Sequence, residues 1–134
     1  MSEKSFQSYF MKQVPHGYRI SLINGGGFPD VLLIEGNEHY LVELKLLQIG
    51  LSGNKKLKGL FKPTQPPWYL NYLAKGGRRL YVVFKLNKGY GVLLVTREFV
   101  SNIDKVKYSD MVSPLYQEYP TLKELIREAF SKSS

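Results

Sequence analysis

Residues 27–45 read "GFPDVLLIEGNEHYLVELK". Two apolar runs, Val31–Ile34 and Tyr40–Val42, flank Gly36-Asn37, a two-residue hairpin signal between strand-forming segments. With Gly36 and Asn37 as the turn, Glu35 faces Glu38 and facing residue numbers sum to 73, so Asp30 faces Glu43. Lys45 projects from the same side of the sheet, two residues beyond Glu43. Val31, Leu33, Tyr40, Val42, Leu44 and Leu46 then form an uninterrupted apolar surface on the other side. Two carboxylates placed opposite one another destabilise a hairpin unless a cation lies between them. Carboxylate oxygens with water suit Mg²⁺ or Mn²⁺, and a chain with no cysteine and two histidines is poorly equipped for zinc. The alternative is an Asp30–Lys45 ion pair with Glu43 turned to solvent.

The surrounding chain has 134 residues, of which 43% are hydrophobic, enough for one domain with its own core over residues 1–134. Without cysteine there are no disulfides. No apolar run has the length of a membrane span, and "MSEKSFQSYF" lacks the core of a signal peptide. These features lead us to expect a cytoplasmic protein, of a prokaryote or of a phage-infected host cell, with no membrane association.

Charge is distributed unevenly. The net charge is +8, yet no Asp or Glu occurs between Leu44 and Arg97. Eleven basic residues fall from Lys45 to Arg97, leaving eight basic and eleven acidic residues for the rest of the chain. Such asymmetry is the footprint of a polyanionic partner, whereas a merely solubilising surface mixes both signs.

Ser2 predicts the cap of a helix over about Glu3–Val14, with Phe6, Phe10 and Met11 on one face. "YRISLI" (Tyr18–Ile23) predicts a strand before the turn "NGGG" and the hairpin. A long basic loop, "QIGLSGNKKLKGLFKP", leads to a helix from Thr64 to about Lys75 with Pro66 and Pro67 in its first turn. "RLYVVFKL" and "YGVLLVT" predict a second hairpin around Asn87-Lys88-Gly89. A short helix at Arg97–Ser101, an irregular stretch, and a Thr121-capped helix over Leu122–Phe130 complete the chain. The fold class is α/β, a single mixed β-sheet flanked by helices.

At Pro29-Asp30 and Glu43-Leu44-Lys45 the chain resembles the PD-(D/E)XK nuclease superfamily. The order of elements matches that superfamily's restriction-endonuclease-like αβββαβ core. Within it the chain most resembles the virus-type replication-repair nucleases (the VRR-NUC group) and, less closely, Holliday junction resolvases. Glu3 and Gln7 in "SEKSFQ", the glycine of "GFPD", and Gln65 in "PTQPPWYLNYLAKGG" support that branch. The similarity covers roughly residues 2–85 of a core ending near residue 96. Nineteen residues separate Lys45 from Gln65, more than the group leads one to expect, and residues 97–134 form an extension without a counterpart. The resemblance implies that Asp30, Glu43 and the backbone carbonyl of Leu44 ligate Mg²⁺, with Mn²⁺ able to substitute. It places Glu3 beside the metal through water. Lys45 positions or activates the attacking water, and Gln65 orients Lys45 or the nucleophile.

Further residues divide between function and packing. Lys55, Lys56, Lys58, Lys62, Arg78 and Arg79 are the expected contacts to nucleic-acid phosphates. His39 falls at the turn end of the hairpin and reads as an edge residue, and His16 as a loop residue. "NGGG" lacks the spacing of a nucleotide-binding loop, so no nucleotide cofactor is expected. Tyr40, Tyr72, Tyr81 and Trp68 are expected to pack against the sheet. The expected function is Mg²⁺-dependent endonucleolytic hydrolysis of DNA, with branched or otherwise structured substrates, by a homodimer. The alternatives are a non-catalytic nucleic-acid-binding module and a sequence-specific restriction-type endonuclease, for which little chain remains to read bases.

Overall fold

A computed structural model describes residues 1–14, 27–48 and 56–130, together with the backbone of residues 17–19. Its elements run α1 (Glu3–Gln13), β1 (Gly17–Arg19), β2 (Val31–Glu35), β3 (Glu38–Leu46), α2 (Gln65–Ala74), β4 (Leu80–Lys85), β5 (Tyr90–Leu94), α3 (Arg97–Ser101), β6 (Tyr116–Tyr119) and α4 (Leu122–Phe130). Short 3-10 turns at Lys58–Leu60 and Tyr108–Asp110 interrupt the connections. The strands lie side by side in chain order in one six-stranded sheet. All neighbours are antiparallel except β3 and β4. Parallel neighbours need a crossover, and α2 supplies it. This is an α/β protein with a single mixed sheet flanked by helices, as the sequence led us to expect.

The hairpin register is the one read from the turn: Glu35 pairs with Glu38, and the ladder runs without a bulge to Val31 and Val42. Alternation along β3 then feeds two cores. Tyr40, Val42 and Leu44 join Phe6 and Phe10 of α1 and Leu122, Leu125 and Phe130 of α4 on one face. Leu41 joins Leu57, Phe61, Tyr69 of α2 and Val100 of α3 on the other. Burying each such large apolar side chain contributes about 1.5–3 kcal/mol. The C-terminal helix therefore packs on the chain's own core.

Helix starts follow side-chain chemistry in most places. The Ser2 hydroxyl accepts the Ser5 N–H at 3.0 Å, and Thr121 Oγ1 accepts the Glu124 N–H at 3.2 Å. Thr64 occupies the N-cap position of α2, but its side chain makes no capping bond. β6 is a strand where the sequence suggested irregular chain: "YQEY" is too short, between Pro114 and Pro120, to show a period. Residues 20–23 of the first expected strand, Asn24–Gly26 of "NGGG", His16 and residues 49–55 of the basic loop, Lys55 included, lie outside the described residues. Among the described residues no helix is long and apolar enough to cross a membrane.

Candidate functional site

The site forms where the β2–β3 ladder ends. Leu41 and Leu47 donate their N–H groups to Arg79 and Lys85, so the odd-numbered residues of β3 hydrogen-bond toward β4. The even-numbered residues bond toward β2, and the register would place residue 29 opposite Leu44. That residue is Pro29, which has no N–H and cannot donate to the Leu44 carbonyl. The ladder stops, and Asp30 takes over part of its bonding. Its Oδ2 accepts the Leu44 N–H at 2.9 Å, which fixes the carboxylate at the end of β3.

Glu43 and Lys45 point from β3 toward α2 and are 1% and 3% exposed. Lys45 Nζ lies 3.2 Å from Glu43 Oε2 and 5.4 Å from the centre of the Phe61 ring. The alternative arrangement, with Lys45 on Asp30 and Glu43 in solvent, is not the one found. Gln65, at the first position of α2, is also buried. Its Nε2 donates to Glu43 Oε2 at 2.8 Å, while its Oε1 accepts the Lys62 N–H at 2.9 Å. The Gln65 amide thus clamps Glu43 rather than Lys45, and the loop before α2 holds the amide in its orientation.

Glu43 Oε1, by contrast, is buried without a hydrogen-bond partner among the described residues. Such an orphan typically costs 1–3 kcal/mol, more for a charged group. Glu3, in the first turn of α1, brings a third carboxylate: oxygens of Glu3, Asp30 and Glu43 lie within 4.8 Å of one another. Burial, and next the Asp30 charge, push the Glu43 carboxyl up to about 8, against the pull of Lys45. Burial also raises Asp30, with the Leu44 N–H and Lys45 opposing. Three converging carboxylates, one with an unused buried oxygen, form a set that a hard cation can join.

Tyr69 is a member of this site that sequence reasoning assigned no role. It is fully buried one helical turn after Gln65, and its hydroxyl has no partner among the described residues. Burial, then the Glu43 and Asp30 charges, raise its pKa. The signal was the four-residue spacing from Gln65, which puts both side chains on one face of α2.

The expected phosphate contacts are sorted by position. Lys62 is exposed and close enough to Asp30 for its charge to act there. Lys56 is exposed, and Lys58 makes an exposed ion pair with Asp104 at 2.9 Å. Arg79 lies at the other end of the sheet, paired with Glu38 at 2.6 Å. Glu38 is five strand residues from Glu43, about 17 Å along β3. Arg78 is exposed beside it. His39 is exposed at the turn end, far from the carboxylates.

The fold and the site define an α/β protein whose mixed sheet ends in an acidic cluster of one buried, one half-buried and one exposed carboxylate, with one buried lysine beside it. No family model matches the chain, and no curated protein matches it.

Proposed function

We propose that this protein is a metal-dependent DNA endonuclease of the PD-(D/E)XK type, close in kind to the VRR-NUC and Holliday junction resolvase-like enzymes. The observation that carries the reading is the convergence of Glu3, Asp30 and Glu43 around the unpaired Glu43 Oε1, with the Lys45 ammonium alongside. Asp30, Glu43 and the Leu44 carbonyl would hold the cation, with Glu3 at its open side. An all-oxygen donor set fits Mg²⁺ or Mn²⁺. When bound, the ion would polarise a phosphoryl oxygen and lower the pKa of its water.

The chain's own residues supply the rest. Gln65 keeps Glu43 aimed into the cluster. Lys45 places a cation beside the carboxylates, where it offsets charge that builds on the phosphate as the water oxygen bonds to phosphorus and the ester P–O bond breaks. The basic span from Lys45 to Arg97, with Lys62 at the cluster's mouth, attracts the phosphodiester backbone. A small core leaves little chain for reading base edges, which favours branched or structured DNA, and cutting two strands of a junction calls for a C₂ dimer.

The test compares wild type with Asp30→Asn and Glu43→Gln on a four-way junction, a flap and a linear duplex in Mg²⁺. Wild type is expected to cut, the junction or flap fastest, while both variants bind DNA as tightly and cut none. Variants that cut at wild-type rates would rule out the cluster as the active centre. Wild type that binds but never cuts under any divalent metal would leave a binding module.

A further inference from the structure

Helix α2 contains no charged residue; Pro67, Asn71 and Ala74 form its exposed face, and Trp68 and Tyr72 lie partly buried beside it. Trp68, like Tyr72, packs against the margin of the core on that face of the sheet, as expected, and it stacks on Tyr72 with ring centres 5.2 Å apart and planes 12° apart. On its other flank Phe28 approaches to 4.8 Å, two residues before Asp30. Phe28, Trp68 and Tyr72 thus form a partly exposed aromatic ridge, seated on the core, that begins two residues before Asp30 and follows α2.

Two glycines hold the ridge in place. A Cβ on Gly27 would lie 2.3 Å from the Thr64 carbonyl oxygen and 3.1 Å from Trp68 Cβ, so only glycine lets the chain before Asp30 abut the start of α2. A Cβ on Gly77 would lie 2.4 Å from the Tyr72 ring, and the Tyr72 hydroxyl donates to the Arg78 carbonyl at 3.0 Å. The rings are braced before any ligand arrives, so little side-chain entropy is left to lose on binding.

Cations mark both ends of the ridge. Lys62 lies at the cluster, and Lys75 falls seven residues after Trp68 and three after Tyr72, on the same helical stripe, with Arg78 just beyond. All three are exposed. The distance along α2 from Gln65 to Lys75 is about 15 Å, room for a few nucleotides. Aromatic surface between cations, with no acid from Lys45 to Thr96 in the sequence, complements an unpaired strand whose bases are open and whose backbone is anionic. A duplex hides its bases and offers such a ridge only phosphates.

We infer that the Phe28–Trp68–Tyr72 ridge binds a single-stranded DNA segment, such as the unpaired arm of a flap or overhang, and leads it past the carboxylate cluster. This rests on reading the cluster as a nuclease centre, but its test needs no cleavage. Trp68 is the only tryptophan, so its emission reports the ridge directly. In EDTA, a single-stranded oligonucleotide should quench it saturably. By fluorescence anisotropy, Tyr72→Leu and Lys75→Glu should each weaken single-strand binding about tenfold, the scale of one lost base–aromatic contact. Affinity for a blunt duplex should change less than twofold. Thermal unfolding verifies that Tyr72→Leu folds; if it does not, Lys75→Glu at the surface carries the test. Unchanged single-strand affinity, equal losses on duplex, or unchanged emission would overturn the inference. So would variants that turn a dimer into a monomer in light scattering yet bind single strands normally. Because metal is absent throughout, a protein that cuts nothing can still pass or fail here.

Discussion

At the scale of single residues, Glu43 carries the most consequence. Its carboxyl titrates near 8 in the metal-free fold against 4.5 when free. Between those values the folded chain holds a proton that the unfolded chain has released, so stability falls as pH rises from about 4.5 to about 8. While Glu43 alone titrates, the slope is about 1.4 kcal/mol per pH unit. Urea denaturation in EDTA at pH 5, 6, 7 and 8 should show this decline, and Glu43→Gln should flatten it. A decline as steep in Glu43→Gln as in wild type would mean that other groups cause it. Added Mg²⁺ should reverse the trend, since a cation is bound by the ionised carboxylates and gains most where they are charged.

At the scale of elements, much of the site was legible because a hairpin converts sequence into geometry. Gly36-Asn37 sets the turn, the turn sets the register, and period-two alternation then separates Leu44 from Glu43 and Lys45. Asp30 was legible by the same count, although it stands one step past the last ladder pair and is held by a backbone amide rather than by a facing strand. Other features depend on contacts across the fold and leave no local period. Nothing in "YQEY" announces β6, since four residues show one cycle of alternation at most. Trp68 packs at the margin of the core as its helical spacing suggested, but its contact with Phe28 crosses the fold and leaves no local period. Arg79 belonged to the basic span by charge, but its pairing partner Glu38 sits at the far end of β3. The junction of β2 with α2 offers a direct test of this tertiary packing. Gly27 has φ +86° and no room for a Cβ against the Thr64 backbone. Gly27→Ala should therefore lower stability by about 2 kcal/mol or more in urea unfolding, through strain and overpacking together. A loss below about 0.5 kcal/mol would contradict the close approach.

At the scale of the whole molecule, the acid-free span from Lys45 to Thr96 gives the chain its polarity. Replacing Lys55, Lys56 and Lys58 together with alanine should weaken DNA binding by similar factors for every sequence. The slope of log affinity against log salt should become shallower by about 2–3, near one unit for each phosphate contact removed. The Lys58–Asp104 pair is exposed on both sides and is weak enough to yield to a phosphate. An unchanged slope would place the loop away from DNA. All of this charge is arranged around one claim, that Glu3, Asp30 and Glu43 gather a divalent cation. Calorimetric titration with Mn²⁺ at pH 7, in two buffers of different ionisation enthalpy, tests that claim most directly. The prediction is saturable binding with proton release in wild type, because Glu43 must ionise to bind, and loss of that binding in Glu43→Gln. Binding of equal strength in Glu43→Gln, or no binding by wild type, would contradict it.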